Sequence, residues 1–131
     1  MTSTMAKGFL LLTRSAAVLT LSVIALGAYT RLADAGLGCP DWPGCYGQLT
    51  WPVEQPEIAQ ANESFPDRPV ETEKAWKEMV HRYLAGILVL LVLAINVLAW
   101  KHRPQNPQDQ MPDVRALAAG LMALILFQAA L

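Results

Sequence analysis

Two short stretches carry the residue types that do chemistry. GLGCPDWPGCYGQ, residues 36–48, holds both cysteines of the chain, Cys39 and Cys45, among prolines and glycines. A pair this close can form a disulfide that acts as a structural staple. It can also serve as a redox or transfer pair, because a small bridge is easier to reduce than a long-range one. Two free thiols are the third option. A bridge braced by Pro40 and Pro43 would contribute about 2 kcal/mol of loop entropy before strain is subtracted. Zinc needs four ligands, and no histidine or third cysteine lies nearby in the sequence to supply them.

The second stretch is EMVHRYLAG, residues 78–86. With Thr72 as N-cap and Glu73 in the first turn, a helix is expected from there through Trp100. Glu78, His81, Arg82 and Ala85 then fall at i, i+3, i+4 and i+7, on one face. Small Ala85 and Gly86 leave room beside the imidazole for a flat macrocycle, and histidine is a common ligand of haem iron. The alternative is a histidine hydrogen-bonded in a headgroup region. Glu78 and Arg82 are spaced for an ion pair contributing about 0.3–0.5 kcal/mol if exposed. Alternatively Glu78 carries protons or stabilises charge, while Arg82 or Arg31 pairs with carboxylates through the guanidinium fork. The other histidine, His102, lies about 31 Å further along the same helix at ~1.5 Å per residue. A six-coordinate haem on His81 would therefore draw its second axial ligand from another copy or from residues this sequence does not contain.

The elements that must position these residues are written in long apolar blocks. Of the 131 residues 53% are hydrophobic and 16% charged. Residues 15–30 and 83–100 carry no charge, and residues 116–131 form a third such run. With their flanks, the first two approach the ~20 residues that cross a bilayer. A soluble protein of this size has no core able to bury three all-round apolar helices. The expected fold is an all-α integral membrane helix bundle: a first span over about 9–30, an outer loop over 31–71, a second span over about 72–100, a cytoplasmic connection over 101–113, and a third span over about 114–131 that reads as cut short. Lys7 and Arg14 precede the first run as they would in a signal peptide, but the run is long for one and further spans follow it, so a retained helix is expected.

Charge gives the orientation. Lys7 and Arg14 flank the first span, and Lys101, Arg103 and Arg115 lie in or beside the short connection. The segment 31–79 instead carries nine acids against Arg31, Arg68, Lys74 and Lys77. The excess of lysine and arginine on cytoplasmic loops puts the N-terminus inside and the cysteine pair outside, where disulfides persist.

GAYTRLADAGLGCPDWPGCYGQLTWP, residues 27–52, together with EMVHRYLAG, resembles the first half of haem A synthase, in the bacterial branch that carries a cysteine pair in its first outer loop. The resemblance covers essentially the whole chain, and the run ending FQAAL resembles the start of that family's third helix. It implies an N-terminal piece of an eight-helix architecture in two four-helix halves, with haem ligands on the second and fourth helices of each half. The activity implied is oxidation of a haem O methyl to the formyl of haem A for cytochrome oxidase assembly, with haem b also bound. Carried over, His81 is an axial ligand of haem iron, Glu78 the catalytic acid beside it, and Cys39 and Cys45 the outer-loop pair. The implied setting is the bacterial inner membrane, with the lipid bilayer, haem O synthase and oxidase-assembly proteins as partners and homo-oligomers left open. A silent haem-binding assembly subunit is one alternative. A membrane thiol–quinone oxidoreductase is another, although it would ordinarily need a second cysteine pair.

The remaining features carry less. Residues 53–73, with Pro56, Pro66 and Pro69, read as an irregular loop. Asn62-Glu63-Ser64 matches a glycosylation acceptor, a pattern often met by chance. Asn96 is expected to hydrogen-bond a neighbouring helix. Trp42, Trp51 and Trp76 read as interface anchors. No nucleotide loop or basic patch suits nucleic acid, so no nucleic-acid partner is expected.

Overall fold

The computed structural model describes residues 3–101 and 113–130. His102, Arg103 and most of the expected cytoplasmic connection lie outside the described residues. Four helices follow in order: α1 (Ser3–Leu32), α2 (Gln55–Ser64), α3 (Thr72–Lys101) and α4 (Arg115–Ala130). Among the described residues extended structure is limited to an isolated bridge between Cys45 and Gln48. Lys7–Leu32 within α1 and all of α3 are long and apolar enough to cross a membrane, while α4 is a shorter apolar helix. Their apolar side chains face outward: Leu21 is 69% exposed and Leu90 65%. That is the surface a lipid solvent covers.

Three threonines of α1 are satisfied within the helix. The hydroxyls of Thr13, Thr20 and Thr30 donate to the carbonyls of Phe9, Ala16 and Leu26, at 2.9, 2.7 and 2.8 Å. This is how such groups survive where water is absent.

The chain divides into two compact units. One joins the first part of α1 to the later part of α3 and to α4. In it Ala16, Ala99 and Ala118 are buried, as small residues are where helices meet. Asn96 donates to the Val92 carbonyl of its own helix at 3.0 Å and to the Ala118 carbonyl of α4 at 2.9 Å, the interhelical hydrogen bond expected from sequence. Before α4, the Arg115 guanidinium holds Asp113 in a two-point pair and lowers its carboxyl to about 2.

The other unit is Ser22–Ala85. Its core forms where the segment between α1 and α3 packs on the start of α3: Cys39, Cys45, Tyr46, Ala61, Ala75 and Met79 are buried together, with Trp51, Phe65 and Val70 packed against them. Two expectations change here. The segment 53–73 is not irregular throughout, because α2 forms inside it. Glu57 accepts the N–H groups of Val53 and Glu54 at 3.0 and 3.2 Å, which lowers its carboxyl below the usual range, and Pro56 sits in the first turn where its missing N–H costs nothing. Thr72 begins α3 but does not cap it; its hydroxyl donates to the Pro52 carbonyl at 3.1 Å.

Candidate functional site

The first turns of α3 and the cysteine loop meet in one place. Cys39 and Cys45 are bonded to each other and both are buried, which sets aside the free-thiol reading and is common to the staple and the redox pair. The loop reaches α3 closely enough that a Cβ on Gly38 would meet the Lys74 backbone carbon at 3.0 Å. Tyr46 closes the far side: its ring stands edge-on to Phe65, and its hydroxyl donates to the Pro69 carbonyl at 3.1 Å. Burial foremost, and the Glu71 carboxylate second, push that hydroxyl above its usual value.

Glu78 and Arg82 form the ion pair their spacing suggests, at 2.5 Å, but in a different setting from an exposed helix pair. The side chains are only 12% and 21% exposed. The second carboxylate oxygen of Glu78 accepts the Cys39 N–H at 3.0 Å. The Nη1 of Arg82 donates to the carbonyls of Asp41 and Gly44 at 2.9 and 2.7 Å, both inside the ring closed by the disulfide. Arg82, expected to meet a ligand carboxylate, is thus occupied by the protein itself. Arg31 lies exposed in the last turn of α1.

Asp41 was not singled out from sequence. Its carboxylate accepts the N–H groups of Tyr46 and Gly47 at 2.6 and 2.8 Å and shapes the turn that buries Tyr46. An aspartate six residues ahead of a glycine turn was the available signal.

His81 is partly buried one turn beyond Glu78. Its Nε2 faces α1 where Gly27 has no side chain: a Cβ there would stand 3.0 Å from that nitrogen. Among the described residues no hydrogen bond engages the ring. A histidine ring without a hydrogen-bond partner among the described residues has the chemistry of a ligand to haem iron. No cluster of metal-binding side chains occurs among the described residues.

The other residues named from sequence are placed as follows. Trp42 is 80% exposed, and Trp51, partly buried, packs on the disulfide core. Trp76 donates to Glu73 at 3.2 Å, and Lys77 lies over the Trp76 and Tyr29 rings at 5.7 and 5.6 Å. The Asn62 side-chain oxygen accepts the Val70 N–H at 2.8 Å, which gives it a structural task.

A family model described as "Cytochrome oxidase assembly protein" matches residues 10–131. The chain is 52% identical over 120 residues to a protein named "Heme A synthase" from Shewanella oneidensis, covering 92% of this chain and 34% of the relative. Proteins of the same name from Symbiobacterium thermophilum and Shouchella clausii are 33% and 29% identical, over 87% and 82% of this chain and 29% of each relative. The chain therefore spans about a third of the length of these curated relatives. No solved structure matches.

Proposed function

The chain belongs to the cytochrome oxidase assembly protein family, and from that premise we propose that it is the first part of a haem A synthase, an oxidoreductase converting a haem O methyl to the formyl of haem A. The observation that carries this reading is the joint placement of Glu78 and His81 one turn apart on α3, the carboxylate tied to the cysteine ring and the imidazole set close against Gly27 of α1.

Haem O is the proposed substrate and haem b the proposed resident cofactor; haem iron supplies the redox chemistry when bound. His81 would hold the haem iron. Glu78 sits one turn along the helix, with the Cys39 N–H and Arg82 fixing its two oxygens, and it would stabilise positive charge or move a proton beside the haem. Charge arranged beforehand in a water-poor site is a large catalytic term. Arg31, in the last turn of α1, takes a ligand carboxylate, since the Arg82 fork is filled.

The setting proposed is the bacterial inner membrane, with the N-terminus in the cytoplasm and residues 31–71 outside, on the charge asymmetry already described. Haem O synthase and oxidase-assembly proteins are the proposed partners. A second histidine for the iron would come from elsewhere in a full-length protein.

Expression of the full-length protein with Glu78→Gln, followed by extraction and chromatography of its haems, tests the assignment. Haem bound at the wild-type level, with haem O accumulating in place of haem A, is the expected result. Undiminished haem A removes Glu78 from the mechanism. His81→Ala is expected to lose the bound haem of this half, seen in its absorption spectrum.

A further inference from the structure

Two hydrogen bonds run from Arg82 into the backbone of the small ring closed by Cys39 and Cys45, at Asp41 and Gly44. One runs from the Cys39 N–H to Glu78, and the circuit closes through the Glu78–Arg82 pair. The guanidinium therefore reads the shape of the ring: carbonyls three residues apart converge on a single nitrogen because the chain between the cysteines is held in a tight turn. The Asp41 carboxylate points elsewhere, onto the Tyr46 and Gly47 N–H groups, so the carbonyl is what Asp41 offers to Arg82.

We propose that Arg82 is a positioning residue that locks the disulfide ring onto the Glu78 carboxylate, so that the oxidation state of the Cys39–Cys45 bridge and the placement of Glu78 are coupled. When a dithiol reductant opens the bridge, the reductant becomes a disulfide, and Cys39 and Cys45 each gain one electron and one proton. Residues 40–44 are then no longer closed into a ring. The Asp41 and Gly44 carbonyls separate, Arg82 loses its two-point seat, and the Cys39 N–H leaves the Glu78 oxygen. Coupling of this kind is reciprocal: whatever weakens the grip of Arg82 on the ring makes the bridge easier to reduce, and by the same factor. Only the catalytic task of Glu78 is taken from the proposed function; the coupling belongs to ring and helix alone.

The test uses the full-length haem-loaded protein, equilibrated with mixtures of reduced and oxidised dithiothreitol and quenched with a mass-tagging alkylator. Arg82→Gln is expected to raise the reduced-to-oxidised ratio of the bridge about tenfold at a fixed poise, which is ~30 mV for a two-electron couple. Arg82→Lys is expected to shift it by less, because one ammonium lacks the fork that spans ring and carboxylate. Lys101→Gln, which removes a positive charge elsewhere, is expected to leave it unchanged. A wild-type midpoint in Arg82→Gln overturns the proposal. If that variant does not accumulate as folded protein, a wild-type midpoint in Arg82→Lys overturns it instead. Haem A measured in the same series for Glu78→Gln reports separately on the enzyme assignment. An unshifted midpoint sinks the coupling alone, and undiminished haem A sinks the enzyme reading alone.

Discussion

His81 Nε2 and Gly27 face each other across α3 and α1, with 3.0 Å between that nitrogen and the position a Cβ on Gly27 would take. Alanine at position 27 therefore displaces the imidazole or the helix. Intrinsic helix preference favours alanine over glycine by about 0.5–1 kcal/mol, so the helix itself does not suffer from the exchange. Gly27→Ala in the full-length protein is expected to accumulate normally while its haem absorption bands shift and its haem content falls. Bands identical to wild type would show that the nitrogen does not need this clearance.

The disulfide makes a prediction of its own. Alkylation of the native protein without reductant is expected to label neither Cys39 nor Cys45. Cys45→Ser removes a bridge whose loop-entropy contribution is about 2 kcal/mol. It also leaves the Arg82 seat without its closed ring. The expected result is faster proteolysis of residues 31–71 than in wild type, measured by limited digestion of membranes. Equal digestion rates would mean the segment holds its shape without the bridge.

Tyr46 gives the pH dependence. Its folded hydroxyl titrates above its ordinary value of 10.0, because burial and Glu71 favour the neutral phenol. The stability linked to it is therefore complete below that value and is lost as pH rises through the folded one. Tyrosinate absorbance of wild type against Tyr46→Phe is expected to show one tyrosine ionising late, together with release of the segment's core. Tyr46→Phe also gives up the bond to the Pro69 carbonyl, at a cost of about 1 kcal/mol.

How far the sequence led depends on what kind of partner each residue has. The alignment of Glu78, His81 and Arg82 on one helix face is a matter of periodicity, and so it was legible. So was the reach of Asn96 to another helix, since an amide in mid-span has little else to bond. What Arg82 holds beyond Glu78 was not legible. Besides Glu78, its acceptors are the backbone carbonyls of Asp41 and Gly44, 41 and 38 residues away, and a carbonyl has no signature in the residue type that carries it. Helix α2 was missed for a different reason. Three prolines marked the segment as loop, yet Pro56 falls in the first turn and Glu54 and Glu57 form the capping box, so the start signal was there and was outweighed. The clearance at Gly27 lay inside an apolar run, where a glycine has many other readings.

Asn96 offers a test in the other unit. Its bond to the Ala118 carbonyl joins α3 to α4. Interhelical bonds of this kind average about 0.6 kcal/mol and reach ~1.7. Asn96→Ala is expected to lower stability by that order in denaturing-detergent titrations, with no change in haem content. A loss of haem with unchanged stability would assign the amide to a ligand instead.

The buried cluster under the cysteine ring takes Ala75 and Met79 from α3, while its other members precede that helix in the chain. Synthesis runs from the N-terminus, so the connecting segment emerges without the two residues that complete its interior. Until α3 has been made, the cysteines have no carboxylate to receive the Cys39 amide and no guanidinium to gather the ring. The segment is therefore expected to mature late and all at once, with the arrival of the second long helix as the event that closes it. A nascent chain arrested before residue 75 would still present both thiols to an alkylating reagent, and one arrested well beyond α3 would present neither.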